Sequence, residues 1–378
     1  MVLPNTRMIM NNSDYHANLS INDQPESETT HQNSTRPLIY SIIFTLIAFL
    51  AFAGNGMFCA VIIGHRQRLL KSPYQLLIFT LAVTDMLTGV FMVATPGYVI
   101  DLNSYPVPQG FAGEMFCRII NTHFFVFTFG KVSVLTIVAL ALERWYSVIK
   151  PISYKMNFSR KRIYRYIAVI WLLSALTNVE KLIYGRLDKM TSRCLWSETP
   201  FPKEIFIPAH TVATFYIPTV IIWLSFFHVA RVLRNSLAGQ NERFRSTRKK
   251  LTRMCALVSF LLTFCWLPNQ IFYTLFAFGI TTVRTPLSYF TIVFAMFNSC
   301  INPWLCCFTN GDYKKAMTRY LLCFSHLKRQ REENTIAISE RLKDTGSIIT
   351  LVGFRYLNSG FTSENEGEMQ TGSTIHSQ

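Results

Sequence analysis

Seven stretches of about twenty or more largely apolar residues leave this chain few folds to adopt, because a helix rising about 1.5 Å per residue needs that length to cross a hydrocarbon core. They run Pro37–Gly64, Pro73–Ile100, Met115–Tyr146, Ile163–Tyr184, Ile205–Val232, Leu251–Gly279 and Pro286–Phe308, each bounded by charge or by turn-forming residues. Inside a bilayer the peptide groups of a lone span must be satisfied within the span itself, so the stretches are read as helices. The fold class is an all-α membrane protein, a seven-transmembrane-helix bundle. A composition that is 50% hydrophobic and only 15% charged agrees with lipid as the solvent.

A net charge of +16 raises nucleic acid as a partner. The Lys and Arg residues, however, lie between the apolar runs and form no single patch, so nucleic acid is set aside and the charges are read as topology signals. Arg66, Arg68 and Lys71 separate the first two spans; Lys150, Lys155, Arg160, Lys161 and Arg162 the third and fourth; Arg243, Arg245, Arg248, Lys249 and Lys250 the fifth and sixth. The positive-inside rule makes these loops cytoplasmic and places the N-terminus outside, in a multi-pass protein. Asn-x-Ser/Thr acceptors at Asn11, Asn18 and Asn33 fit an outer, glycosylated tail. Residues 1–36 and 325–378 are polar tails with too little apolar surface to offset ordering entropy. No uninterrupted apolar run precedes Pro37, so the first span is expected to act as the insertion signal. Most of the nine cysteines lie within apolar runs as buried thiols. Cys117 and Cys194 alone fall on the outer, oxidising side, where a disulfide is expected to tie the loop after the fourth span to the start of the third.

Polar groups inside spans are expensive and are therefore functional candidates. Asp85 lies deep in the second span and needs a cation or hydrogen-bond donors; Asn55, Ser133, Asn298, Ser299 and Asn302 fall at similar depth. Together they could hold sodium, a hard ion that takes oxygen ligands, or serve as polar glue between helices. Glu143 and Arg144 close the third span, where they can pair with each other or with a partner protein, or merely snorkel. Lys131 is buried and invites a ligand acid, Glu180 or another internal partner. Pro96, Pro218, Pro268 and Pro303 each remove a helical hydrogen bond and kink a span, with Trp266 beside one kink.

In order along the spans stand Gly54-Asn55, Leu81-Ala82-x-x-Asp85, Cys117, Glu143-Arg144-Trp145, Trp171, Cys194, Pro218, Cys265-Trp266-Leu267-Pro268 and Asn302-Pro303. This ordered set resembles the rhodopsin-like (class A) G-protein-coupled receptors over about residues 37–324. After the 37–308 bundle, residues 309–324, containing Asn310-Gly311-Asp312-Tyr313, look like that family's short amphipathic eighth helix on the inner membrane surface, with Cys323 at its usual palmitoylation position. The resemblance implies a plasma-membrane receptor, not an enzyme, that binds an extracellular ligand and activates a heterotrimeric G protein. It makes Trp266, Pro268, Asn302 and Pro303 the activation switch, Glu143 and Arg144 the coupling site, and Asp85, Ser133, Asn298 and Asn302 an allosteric sodium site, with no other metal or cofactor. Arrestin, a receptor kinase acting on the Ser/Thr-rich tail, and membrane lipid are the further partners it implies.

Some positions depart from that family. The usual Asp-Arg-Tyr reads Glu143-Arg144-Trp145, the tyrosine after Asn302-Pro303 is replaced by Cys306, and Phe226 stands where a second tyrosine is expected. Arg248 occupies a position where some members carry an acid, so no acid lock on Arg144 is expected there. The Cys117-to-Arg144 interval is slightly longer than usual, which implies an irregular outer end of the third span or a shifted disulfide. Met296 replaces the retinal-binding lysine and Val126 the amine-binding aspartate. A peptide is then the best-fitting ligand, contacting His123, Phe127, Lys131, Glu180, Lys181, Asn269, Gln270, Tyr273 and Arg284. Rival readings are a transporter, for which no paired repeat is seen; an intramembrane enzyme, for which Asp85 lacks a second acid; and a decoy or scaffold receptor that couples weakly.

Overall fold

The computed structural model describes residues 37–64, 70, 72–101, 105–188, 190, 192–197, 200–235, 242–283, 285–309, 311, 313–320 and 322. Seven helical spans among them are long and apolar enough to cross a membrane: Leu38–Gly64, Pro73–Ala94, Gly110–Ile149, Arg160–Tyr184, Lys203–Arg234, Arg248–Ala277 and Pro286–Thr309. Residues 313–320 form a further short helix. The first span packs on the second and seventh, the second on the third, the third on the fifth, and the sixth on the seventh. Inward faces bury Phe44, Phe58, Leu77, Leu81, Ile137 and Leu140, while Leu46, Phe49, Leu172, Leu224, Phe264 and Phe290 stand exposed. So wide an exposed apolar surface suits contact with lipid and not with water.

The second span ends sooner than expected. Thr95, preceding a proline, takes an extended conformation (φ −98°, ψ 126°), and its N–H donates to Phe91 O at 2.9 Å. Pro96 thus terminates the helix and does not kink it, correcting the expected role. The turn that follows needs Gly97, at φ +87°, and Tyr105 Oη caps the orphaned Ala94 carbonyl at 2.9 Å.

The third span begins earlier, at Gly110, and its outer end is irregular as expected. Phe116–Asn121 winds as a π-helix, and His123 at φ 60° breaks the chain before the long helix Phe124–Ile149. A π turn absorbs an extra residue without breaking the ladder, which accommodates the longer interval from Cys117 to Arg144. The fourth span divides into Arg160–Leu176 and Val179–Tyr184. The fifth has a π segment, Val212–Tyr216, that ends two residues before Pro218, whose missing N–H and bulky ring loosen the ladder there. Pro268 and Pro303 lie inside the helices Glu242–Ala277 and Pro286–Thr309. The basic stretch around Lys249 is not a loop, because the sixth helix starts at Glu242 and carries it as helix.

Between the fourth and fifth spans, strands β1 (Gly185–Asp188) and β2 (Arg193–Trp196) pair antiparallel, with Leu187 opposite Cys194. The Cys117–Cys194 disulfide joins this hairpin to the third span. Glu114 Oε2 accepts from Leu187 N at 2.9 Å, while Arg118 pairs with Glu114 and donates to Leu182 O, both at 2.7 Å. The hairpin is therefore held by the disulfide and by Glu114, while Arg118 ties the helix end that leads into it.

Candidate functional site

Behind the hairpin, at the disulfide end of the bundle, lies a cavity of about 670 Å³. It is large enough to take several side chains of a ligand. Phe127, Lys131, Glu180, Asn269, Gln270 and Tyr273 all line it, as does Trp266. His123 instead lines a smaller neighbouring space of about 120 Å³, together with Tyr98. Phe127, Trp266, Asn269 and Tyr273 are shared between the two. His123 Nδ1 lies 2.8 Å from Asn121 O, and its ring meets Tyr98 edge-on at 5.1 Å. Arg284, like Asn11, Asn18, Asn33 and Cys323, lies outside the described residues.

Of the partners open to Lys131, a ligand acid, Glu180 or another internal group, Glu180 is not within ion-pair distance among the described residues. The Lys131 ammonium instead donates to Thr177 O at 3.0 Å and Asn178 Oδ1 at 2.7 Å, and lies 2.7 Å from His210 Nε2. The break in the fourth span is what turns the Thr177 carbonyl toward it, a feature no apolar pattern announces. Lys181 lies 4.3 Å from the centre of the Phe127 ring and 5.5 Å from that of Trp196, as cation–π contacts. Lys181 lines the cavity as expected, whereas His210 was missed in the sequence, where it sits as one polar residue within an apolar run.

At mid-bundle, Asn302 Nδ2 donates to Asp85 Oδ2 at 2.7 Å, with the Ser133 and Ser299 hydroxyls beside the same carboxylate. Asn55 Nδ2 donates to Ala51 O at 2.9 Å and to Ser299 O at 2.8 Å. Asp85 Oδ1, Asn298 Oδ1 and Asn302 Oδ1 are buried acceptors with no hydrogen-bond partner among the described residues. A buried carboxylate beside spare neutral oxygens has the donor set that a hard monovalent cation takes.

At the opposite end, Arg144 grips both carboxylate oxygens of Glu143, through Nε and, at 2.5 Å, through Nη2. Glu143 is fully buried and Arg144 nearly so, at 5% exposure, which makes this a desolvated ion pair and not snorkelling. Tyr154 Oη donates to Glu143 Oε1 at 2.7 Å, and the Arg144 guanidinium stands 4.8 Å from the Tyr74 ring centre. Burial, reinforced by the Glu143 charge, pushes the Tyr154 hydroxyl well above the usual tyrosine range, so it remains a donor. Trp145 Nε1 donates to His228 Nδ1 at 3.1 Å, tying the third span to the fifth. Cys306 and Phe226 are both buried. Neither can supply the hydroxyl that a tyrosine would bring.

The family described as "7 transmembrane receptor (rhodopsin family)" matches residues 54–305. The chain is similar to an Allatostatin-A receptor of Bombyx mori, at 26% identity over 75% of this chain and 80% of that one. It is also similar to Tachykinin-like peptides receptor 86C of Drosophila melanogaster, at 27% identity over 80% of this chain and 64% of that one. Galanin receptor 2a of Danio rerio is 22% identical over 82% of this chain and 87% of its own length.

Proposed function

Because the chain belongs to the rhodopsin family of seven-transmembrane receptors, we propose that it receives a peptide outside the plasma membrane and activates a heterotrimeric G protein inside. The observation that carries this reading is one set of helices bearing a roomy, mainly apolar cavity set with charged and polar groups at the disulfide end and the Glu143–Arg144 pair at the other. The third span reaches both, running from Phe127 and Lys131 to Arg144. Relatives whose names denote peptide receptors support the ligand class. The basic residues at the Arg144 end support a cytoplasmic position for it, with the hairpin outside.

In this reading the peptide enters over the hairpin and repacks Trp266, and the sixth span, hinged at Pro268, swings outward at its far end. Arg144 then leaves Glu143 to meet the Gα subunit. A peptide can drive this only by its differential affinity for the two packings. A sodium ion would be held by Asp85, Ser133, Asn298 and Asn302; when bound it supplies the positive charge that neutralises the buried carboxylate and favours the resting packing. Glycans on Asn11, Asn18 and Asn33, a palmitoyl chain on Cys323 anchoring the eighth helix in lipid, and arrestin and a receptor kinase at the tail complete the proposal.

The test is nucleotide exchange on a panel of Gα subunits in cells expressing the wild type or Arg144→Ala, challenged with a peptide library. A peptide-driven response that disappears in the mutant, at equal surface expression, is the expected result. Equal responses from both forms, or silence from surface-expressed wild type across the panel, would overturn it.

A further inference from the structure

Among the described residues, no carboxylate lies within 4.0 Å of the Lys131 or Lys181 ammonium; the two ion pairs found are Glu114–Arg118 and Glu143–Arg144. Thr177 O, Asn178 Oδ1 and His210 Nε2 occupy the directions of Lys131's three N–H groups without cancelling its charge. Glu180 is the acid whose charge acts on both lysines, and one carboxylate cannot neutralise two ammonium groups, so the pair is an attractive target for a further anion. The cavity wall as a whole leans the same way, since Lys131, Lys181 and Lys203 face it against a single acid, Glu180.

Two of Lys131's partners are fixed and one is not. Asn178 is locked by its own amide, which donates to Thr128 Oγ1 and Ser174 O, both at 3.1 Å, so its oxygen stays turned toward the lysine. Thr177 O is backbone. His210 Nε2, by contrast, lies 2.7 Å from Lys131 Nζ and 3.0 Å from Thr177 O. A single ring nitrogen can accept from the ammonium or donate to the carbonyl, but it cannot do both in one tautomer. The imidazole is therefore the weakly held member of the trio. A carboxylate oxygen in its place would accept from Lys131 and free Nε2–H to donate to Thr177 O or to the carboxylate itself. Lys181, in the same cavity, supplies the second cation.

From this we propose that Lys131, His210 and Lys181 form a carboxylate seat, so that the peptide presents an acid to the cavity, either an Asp or Glu side chain or a free C-terminus. The assignment rests on the peptide-receptor reading and adds to it the chemistry of the ligand. His210 lies two residues before the π segment of the fifth span, so displacement of the imidazole couples the arriving acid to the most irregular turn of that helix.

The purified full chain in detergent micelles is exposed to four matched short-peptide pools: Asp/Glu-containing or Asn/Gln-containing, each with a free or an amidated C-terminus. Retained peptides are read by mass spectrometry for wild type, Lys131→Gln and Lys181→Gln, each first shown to be monodisperse. Hippurate and hippuramide serve as a small acid and its neutral twin. Wild type should retain acids over their amide twins by about tenfold or more, and both variants should lose most of that preference. The pool that is retained tells a side-chain acid from a terminal one. Equal retention of acids and amides by wild type, or an acid preference that persists in both variants, overturns the seat while leaving peptide binding intact. If no peptide is retained but hippurate is, and only with Lys131 present, the seat stands and the peptide reading falls. Retention of neither overturns the seat.

Discussion

A methyl group is all that separates Gly130 from a clash with Trp266: a Cβ at position 130 would stand 2.6 Å from Cη2 of the indole and 2.9 Å from Cζ2. Trp266 is 9% exposed, and its Nε1 has no hydrogen-bond partner among the described residues, so packing holds the ring where it lies. Gly130→Ala should push the indole out of this position at an overpacking cost of about 1–3 kcal/mol. The expected outcome is a lower unfolding temperature of the purified receptor together with a shifted tryptophan emission. An unchanged melting curve and spectrum would mean that the ring repacks freely and does not sense its neighbours. The same scale explains the coupling end. Arg144 is satisfied by an adjacent acid, and that acid also accepts from Tyr154, so the guanidinium is held before any partner arrives.

Two π segments, Phe116–Asn121 and Val212–Tyr216, give the helices facing the cavity their irregular outer turns. In the first, the wide turn sets the direction of Cys117 toward the hairpin. Deleting Ile119 should let the segment relax to an α-helix, which takes about one residue fewer for the same turn and so keeps Cys117 facing Cys194. Thiol labelling of the denatured protein should find Cys117 and Cys194 protected in the deletion variant as in wild type. Reactive cysteines in the deletion variant would show that the wide turn itself is needed to align the disulfide.

Across the whole bundle, polar contacts at Asp85 and Asn55 bind the first, second and seventh spans, with Ser133 of the third beside them. An ion held there would have to be released, or its ligands rearranged, whenever those spans repack, so it acts on the equilibrium between packings. Replacing sodium chloride with choline chloride should raise peptide-free nucleotide exchange by the wild-type receptor. Asp85→Asn, which keeps the shape and removes the charge, should make exchange indifferent to the cation. A sodium effect that survives in Asp85→Asn would place the ion elsewhere.

The number of spans, the basic loops and the order of the motifs could be read from the chain because they are local properties: apolar length decides what crosses a bilayer, and it needs no knowledge of what packs where. Asp85, Trp266, Arg144 and the two linked cysteines stood out for the same reason, as polar, bulky or oxidisable groups in conspicuous settings. Contacts over long separations were not legible. Asn55 meets Ser299 across 244 positions and Lys131 meets His210 across 79, and such meetings depend on the rotation and tilt of whole helices. That dependence is why the chain left Lys131 with a ligand acid, Glu180 or another internal partner, and only the broken fourth span turned Thr177 and Asn178 toward it. It is also why Pro96 reads as a kink in the sequence and ends a helix in the fold. Composition fixes the solvent and the length of each helix; only packing decides which polar atom each one presents to its neighbour.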